Sequence, residues 1–188
     1  MSDFVLLDTP YGTCQVAKSL SHLNIPWEDY LAQLIDKYQS SEELRGVSGV
    51  SVRGWICDGA GDEIKVLLGQ RVEGENEAFG GKCDPEETIL EALVREIYEE
   101  TNLVVSVIHE QLGKGQIFFT SKSRRWIEQL HFLVKTKPNH EIRLNPEEHQ
   151  NSVWASVNPF PRDELPLTDG SFHFLELAVE RYKSISID

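Results

Sequence analysis

FGGKCDPEETILEALVREIYEETNLVV, residues 79–105, joins a glycine turn to a strongly patterned helix, and the fold is read outward from it. Gly80 and Gly81 permit backbone conformations and close approaches that a side chain would block, so the turn is able to aim a carbonyl or amide into a site. Thr88 suits a helix N-cap, and Pro85, Glu86 and Glu87 suit the entrance, where carboxylates complement the positive end of the helix dipole. With Ile89 set at zero on a wheel of about 100° per residue, Leu93 falls at about 40°, Ile97 at about 80° and Ala92 at about 300°. Glu96 at about 340° and Glu100 at about 20° lie inside that apolar arc, and Glu99 lies at its margin at about 280°.

A run such as REIYEE is ordinarily a solvated helix face. Here that reading puts two glutamates on the wrong side. Carboxylates on a core-facing stripe are costly to desolvate unless something positive compensates them, and a divalent cation does so for two or three at once. Spacings of three and four residues bring their oxygens together. Arg95 neighbours Glu99 one turn on and is suited to orient carboxylates at the margin. Asn102 ends the helix where the left-handed conformation is common, which Asn tolerates better than most residues.

Ahead of this segment, VSGVSVRGWI and IKVLLGQR flank a turn carrying Gly59, Gly61 and Asp62, the pattern of a hairpin. After it, LVVSVI, GQIFFT, QLHFLVKT and VWASV predict further strands, which makes the chain α+β, with a layered α/β/α arrangement. Residues 171–182 predict an amphipathic helix, with Phe172, Leu175, Leu177, Ala178, Val179 and Tyr182 as its apolar members. Residues 1–45 differ in texture. A helical pattern from Pro26 to Leu44 places Trp27, Tyr30, Leu31, Leu34, Ile35 and Tyr38 on one face, which predicts an N-terminal helical extension over 1–45 and a main domain over 46–188. That apolar face suits packing on the main domain or on a second subunit, as in a homodimer.

The 31 acidic against 18 basic residues give a formal charge of -13, which argues against nonspecific nucleic-acid binding. It is compatible with a small phosphorylated ligand held through Mg²⁺ or Mn²⁺. Cys14, Cys57 and Cys83 are odd in number and widely spaced, so neither a disulfide framework nor a zinc site is indicated. A chain without a signal-peptide pattern or a long apolar run is expected to be soluble, intracellular and cytoplasmic, with a nuclear location left open.

The central segment resembles the Nudix hydrolase signature, G-x5-E-x7-R-E-U-x-E-E-x-G-U, where U is a bulky aliphatic residue. Gly81, Glu87, Arg95, Glu96, Ile97, Glu99, Glu100 and Leu103 fall in register, and Asn102 replaces the second glycine. IKVLLGQR, the FGGK entrance and VWASVNPF extend the resemblance over about residues 47–182. It implies a mixed sheet between helices and a hydrolase that cleaves a diphosphate in a small molecule, usually a nucleoside diphosphate derivative. It also implies Mg²⁺ or Mn²⁺ held by Glu96, Glu99, Glu100 and a carbonyl of the Gly80–Gly81 turn, Gly81 in particular, with Glu87 paired to Arg95. The wheel gives that last pairing no support, so Glu87 must lie in an irregular helix entrance.

Such a cation would neutralise the diphosphate and lower the pKa of a bound water, whose proton a carboxylate takes. Glu96, Glu99 and Glu148 are candidates for that step, Glu148 being preferred to Glu147 in the loop NPEEHQNSVW, where His149 is also available. Arg71 is a candidate phosphate contact. Phe118 and Trp126 are candidates to line a substrate pocket, with Phe119 and Phe132 beside them, although such aromatics are more often core. Two other readings remain for this fold: a ligand-sensing or protein-interaction module without turnover, and an enzyme acting on a prenyl diphosphate.

Overall fold

The computed structural model describes residues 3–37, 46–121, 124–138, 140–168 and 170–185. In chain order the strands and α-helices are β1 (Phe4–Thr9), β2 (Gly12–Ala17), α1 (Trp27–Lys37), β3 (Val47–Asp58), β4 (Lys65–Arg71), β5 (Asn76–Glu77), α2 (Ile89–Thr101), β6 (Val105–Gln111), β7 (Gln116–Thr120), β8 (Arg125–Thr136), β9 (His149–Ser156) and α3 (Ser171–Ile185). Every strand expected from the sequence is present, and so are the tail helix and the helix of the N-terminal extension. Tyr38, Leu44 and the residues between them lie outside the described residues.

The spine of the fold is β3, a run of Val, Trp and Ile that is buried on both faces, as a central strand must be. It pairs in parallel with β8, in a register that sets Val52 opposite Leu130 and Trp55 opposite Leu133. It also turns back through the expected hairpin onto β4, with Ile56 opposite Leu67. The sheet runs in the order β1-β2-β6-β8-β3-β4-β5, with β7 added to β8 and β9 to β4. It is mixed, since β2–β6 and β3–β8 are parallel and the remaining pairs antiparallel.

One face of the sheet packs Val50, Val52, Leu130 and Phe132 against Ile89, Leu93 and Ile97 of α2, with Trp27 and Tyr30 of α1 at the border of that cluster. The other face packs Trp55, Leu133 and Leu112 against Phe174, Leu175, Ala178 and Tyr182 of α3. Helices on both faces make the expected α/β/α sandwich. A β-carbon added at Gly54 would stand 2.5 Å from Ile97 Cδ1, so this glycine lets α2 settle onto β3.

The N-terminal extension holds more than a helix. Residues 4–17 form the hairpin β1–β2, and Gln15 and Val16 pair in parallel with Val107 and Ile108 of β6. The extension therefore lengthens the main sheet at its β6 edge. Among the described residues no helix is long and apolar enough to cross a membrane.

Candidate active site

The helix that carries the glutamates is fixed at both ends by local chemistry. Thr88 caps the backbone N–H of Glu91, whose side chain in turn accepts from the N–H of Thr88, and Asn102 closes the far end in the left-handed conformation with φ of 63°. As the wheel predicts, Glu100 is buried with its side chain 3% exposed, Glu96 is 13% exposed and Glu99, at the margin, is 48% exposed.

The glycine turn meets these carboxylates from the sheet side. Residues 79–83 run along β3, where Gly54 N–H donates to the Phe79 carbonyl, Val52 N–H to the Gly81 carbonyl and Cys83 N–H to the Val50 carbonyl. Gly80 has φ of +142°, and a β-carbon added there would run into the Val52 carbonyl, so a side chain is excluded twice over. Its N–H donates to Glu100 Oε2 at 2.7 Å. Gly81 faces Glu96, whose carboxylate oxygens would lie 2.5 and 2.7 Å from an added β-carbon. The turn thus seats both inward glutamates. The Gly81 carbonyl keeps one lone pair beyond its bond to Val52.

Arg95 organises the outer rim. Its guanidinium donates twice to Glu87 at 2.9 Å, to Glu96 at 2.9 Å, to Glu99 at 3.1 Å and to the Lys82 carbonyl at 3.0 Å. Glu87 lies in an irregular entrance, one residue after Glu86 at φ of 66°. That turn brings Glu87 back toward Arg95, which an ideal helix would not have done. Glu99 receives a second contact, from the Tyr11 hydroxyl at 3.4 Å, and the Tyr11 ring packs on Tyr98 with centroids 4.9 Å apart. The tip of the N-terminal hairpin therefore touches a glutamate of α2.

The loop before β9 completes the site. Asn145 N–H donates to the Glu100 backbone carbonyl, and the Asn145 carbonyl accepts from the N–H groups of Glu148 and His149. This hooks the loop over the C-terminal end of α2. It brings Glu148, which is exposed, and His149, which is 2% exposed, to Glu100. His149 Nε2 stands 3.5 Å from Glu100 Oε2. Burial pushes the Glu100 carboxyl up to about 7, against a lowering by His149. Burial also raises Glu96, opposed by Arg95.

These groups open into a cleft of about 680 Å³, which Glu96, Glu100, Gly81, Glu148, Arg71 and Phe118 all line. Arg71 is half-exposed and lies 3.6 Å from Glu77. Trp126 is not on the cleft wall; it packs edge-on against Phe119, which is. Phe132 is fully buried core. Arg53, which the sequence reading passes over, also lines the cleft, pairs with Glu77 at 3.2 Å and donates to the Gly80 carbonyl. Its signal was present, as a lone charge in the apolar run VSVRGWI.

A mixed sheet between helices, with a glycine turn and a glutamate helix facing one cleft, defines a hydrolase of the Nudix class. A family model described as the NUDIX domain matches residues 47–177, and the chain belongs to that family. Membership of that family agrees with a Nudix-type pyrophosphohydrolase. No curated protein matches the chain. Among solved structures, a MutT Nudix hydrolase from Burkholderia pseudomallei is 23% identical over 69% of this chain and 96% of its own, with a TM-score of 0.52. An Ap4A hydrolase from C. elegans is 18% identical over 72% of this chain and 98% of its own, with a TM-score of 0.58. An ADP-ribose pyrophosphatase from Streptococcus suis is 24% identical over 72% and 92%, with a TM-score of 0.54. At these identities the likeness is one of fold.

Proposed function

We propose that this Nudix hydrolase cleaves the diphosphate linkage of a small molecule, a nucleoside diphosphate derivative, with the help of Mg²⁺ or Mn²⁺. The observation that carries the reading is Glu100, a buried carboxylate with no lysine or arginine ion pair among the described residues, set beside Glu96 and Glu148 in one cleft. Three converging carboxylates need a positive charge, and the residues present fit a hard divalent cation with oxygen ligands.

In this reading Glu96 and Glu100 hold the cation beside the Gly81 carbonyl, and Glu99 adds its charge from the rim, where Arg95 and Tyr11 fix it. When bound, the cation neutralises the diphosphate and polarises its P–O bonds. Arg71 meets phosphate oxygens at the cleft wall, and Phe118 covers the group attached to the diphosphate. Glu148, the solvent-facing carboxylate of the three, takes the proton from the attacking water as its oxygen bonds to phosphorus. The bridging P–O bond then breaks and the leaving phosphate takes the electron pair. Arg95 is a positioning residue, since it contacts carboxylates and not the reacting atoms. Three buried thiols, Cys14, Cys57 and Cys83, support a reducing, intracellular setting.

The test is incubation with Mg²⁺ or Mn²⁺ against nucleoside triphosphates, nucleotide sugars, dinucleotides and prenyl diphosphates. Metal-dependent turnover of a nucleotide member that is lost in Glu96→Gln and Glu100→Gln is expected. Turnover confined to prenyl diphosphates would replace the substrate class, and no turnover at all would favour a ligand-sensing module. Turnover untouched by both substitutions would remove the site.

A further inference from the structure

His149 lies outside the glutamate helix, yet the fold places it with care. Its ring is wedged between Phe79, in edge-to-face contact with centroids 5.1 Å apart, and Gly69, where an added β-carbon would stand 2.7 Å from Nδ1. Only a glycine leaves that slot open. The seated ring sends Nε2 toward Glu100 Oε2 at 3.5 Å, too long for a good hydrogen bond. Both ring nitrogens are buried and neither has a hydrogen-bond partner among the described residues.

A buried imidazole without a hydrogen bond loses the solvation of two polar atoms, and the long approach to Glu100 offsets only part of a cost that folded proteins ordinarily avoid. A cation removes that cost on the side facing Glu100. One donor atom each from Glu100, Glu148 and His149 lie within 4.8 Å of one another. Donors bound to a common dication at about 2.1 Å each must approach to within about 4.2 Å, and Glu148 is the exposed member of the three, with room in solvent to adjust.

We infer that Glu100, Glu148 and His149 form a mixed nitrogen and oxygen seat for a transition-metal dication of the Mn²⁺ to Zn²⁺ class, with Glu100 and Glu148 on the cleft wall and His149 buried beside Glu100. An all-oxygen set suits Mg²⁺, whereas an imidazole ligand shifts preference toward the later first-row metals. Glu148 uses one oxygen in this seat and keeps the other for a proton. The inference rests on the hydrolase reading for the role of the cleft. It adds the nature of the cation and two ligands outside the glutamate helix, Glu148 and His149.

The probe is Mn²⁺ added below stoichiometry to the full chain, followed by spin-echo electron paramagnetic resonance for directly coupled nitrogen. Wild type is expected to show modulation from one imidazole nitrogen, and His149→Gln to lose it. In calorimetric titrations His149→Gln is expected to weaken Mn²⁺ by about tenfold or more, while Mg²⁺ changes by less than about threefold. Equal weakening of both ions would mean that His149 only holds Glu100, and would overturn the inference. Bound Mn²⁺ without nitrogen coupling in wild type would overturn it too, whether or not the variant folds. Glu148→Gln, at an exposed position, supplies a second variant: it is expected to weaken Mn²⁺ and retain the nitrogen signal, and unchanged Mn²⁺ affinity would remove Glu148 from the seat. Turnover on the substrate panel is measured separately. Turnover without nitrogen coupling sinks this inference alone, and nitrogen coupling without turnover sinks the hydrolase reading alone.

Discussion

Replacing Arg95 by glutamine is expected to cost about 3–5 kcal/mol of folding stability in the presence of a chelator. All five N–H donors of its guanidinium are in use, in five hydrogen bonds, four of them to carboxylates. The bond to Glu99, whose side chain is 48% exposed, contributes under about 1 kcal/mol. Those to Glu87 and Glu96, 14% and 13% exposed, dominate, because their loss leaves two nearly buried charges without a partner. Arg95→Lys keeps the charge but presents it from a single point and cannot grip Glu87 at both oxygens, so a loss of about 2 kcal/mol is expected. Urea unfolding at constant m reads both values. Adding Mg²⁺ is expected to shrink the glutamine deficit, since a cation near Glu96 supplies part of the missing charge. A glutamine variant within about 0.5 kcal/mol of wild type in chelator would refute the reasoning, and a lysine variant equal to wild type would show that the fork geometry has no part in it.

Gly81→Ala is expected to lower kcat by about tenfold or more while barely moving the urea midpoint, because its β-carbon would stand 2.5 Å from Glu96 Oε2 and displaces a side chain, not a backbone; unchanged kcat would release Glu96 from the site. Phe118→Ala is expected to raise KM several-fold with under about 1 kcal/mol of stability lost, whereas Trp126→Ala, off the cleft wall, leaves KM unchanged; the reverse order would exchange their roles. His131, 3% exposed, accepts from Trp55 Nε1 at 3.1 Å and stacks on Phe174, and burial, with the charges of Arg53 and His173, pushes its imidazole down to about 3. Its folded value lies below its unfolded one, so its contribution is whole above about pH 6.5 and is lost on acidification toward about pH 3, at no more than about 1.4 kcal/mol per unit. His131→Gln is expected to flatten the fall in stability between about pH 6 and about pH 4, inside that window, and an identical slope in the variant would discard this account.

The glutamate helix was legible because its argument is local: a radius, a rise and a period fix where Glu96, Glu99 and Glu100 point once Ile89 and Leu93 are taken as core. The same reasoning failed to reach Glu87, since its pairing with Arg95 depends on the backward turn at Glu86, which no period describes. The hairpin of residues 4–17 escaped notice for a different reason. Leu6 is 71% exposed and Val5 40%, so β1 lacks the alternation of a half-buried strand, and β2 owes its place to the distant β6. His149 is the sharpest case. In sequence it is one member of a polar loop, and what singles it out is a slot made by Gly69 and Phe79 together with a carboxylate on another element. None of these relations is periodic, so each requires the sheet to be assembled first. The chain thus writes the glutamates of α2 proposed to hold a cation into one contiguous segment, and leaves the nitrogen proposed to tune the choice of cation to the register of β9 against β4.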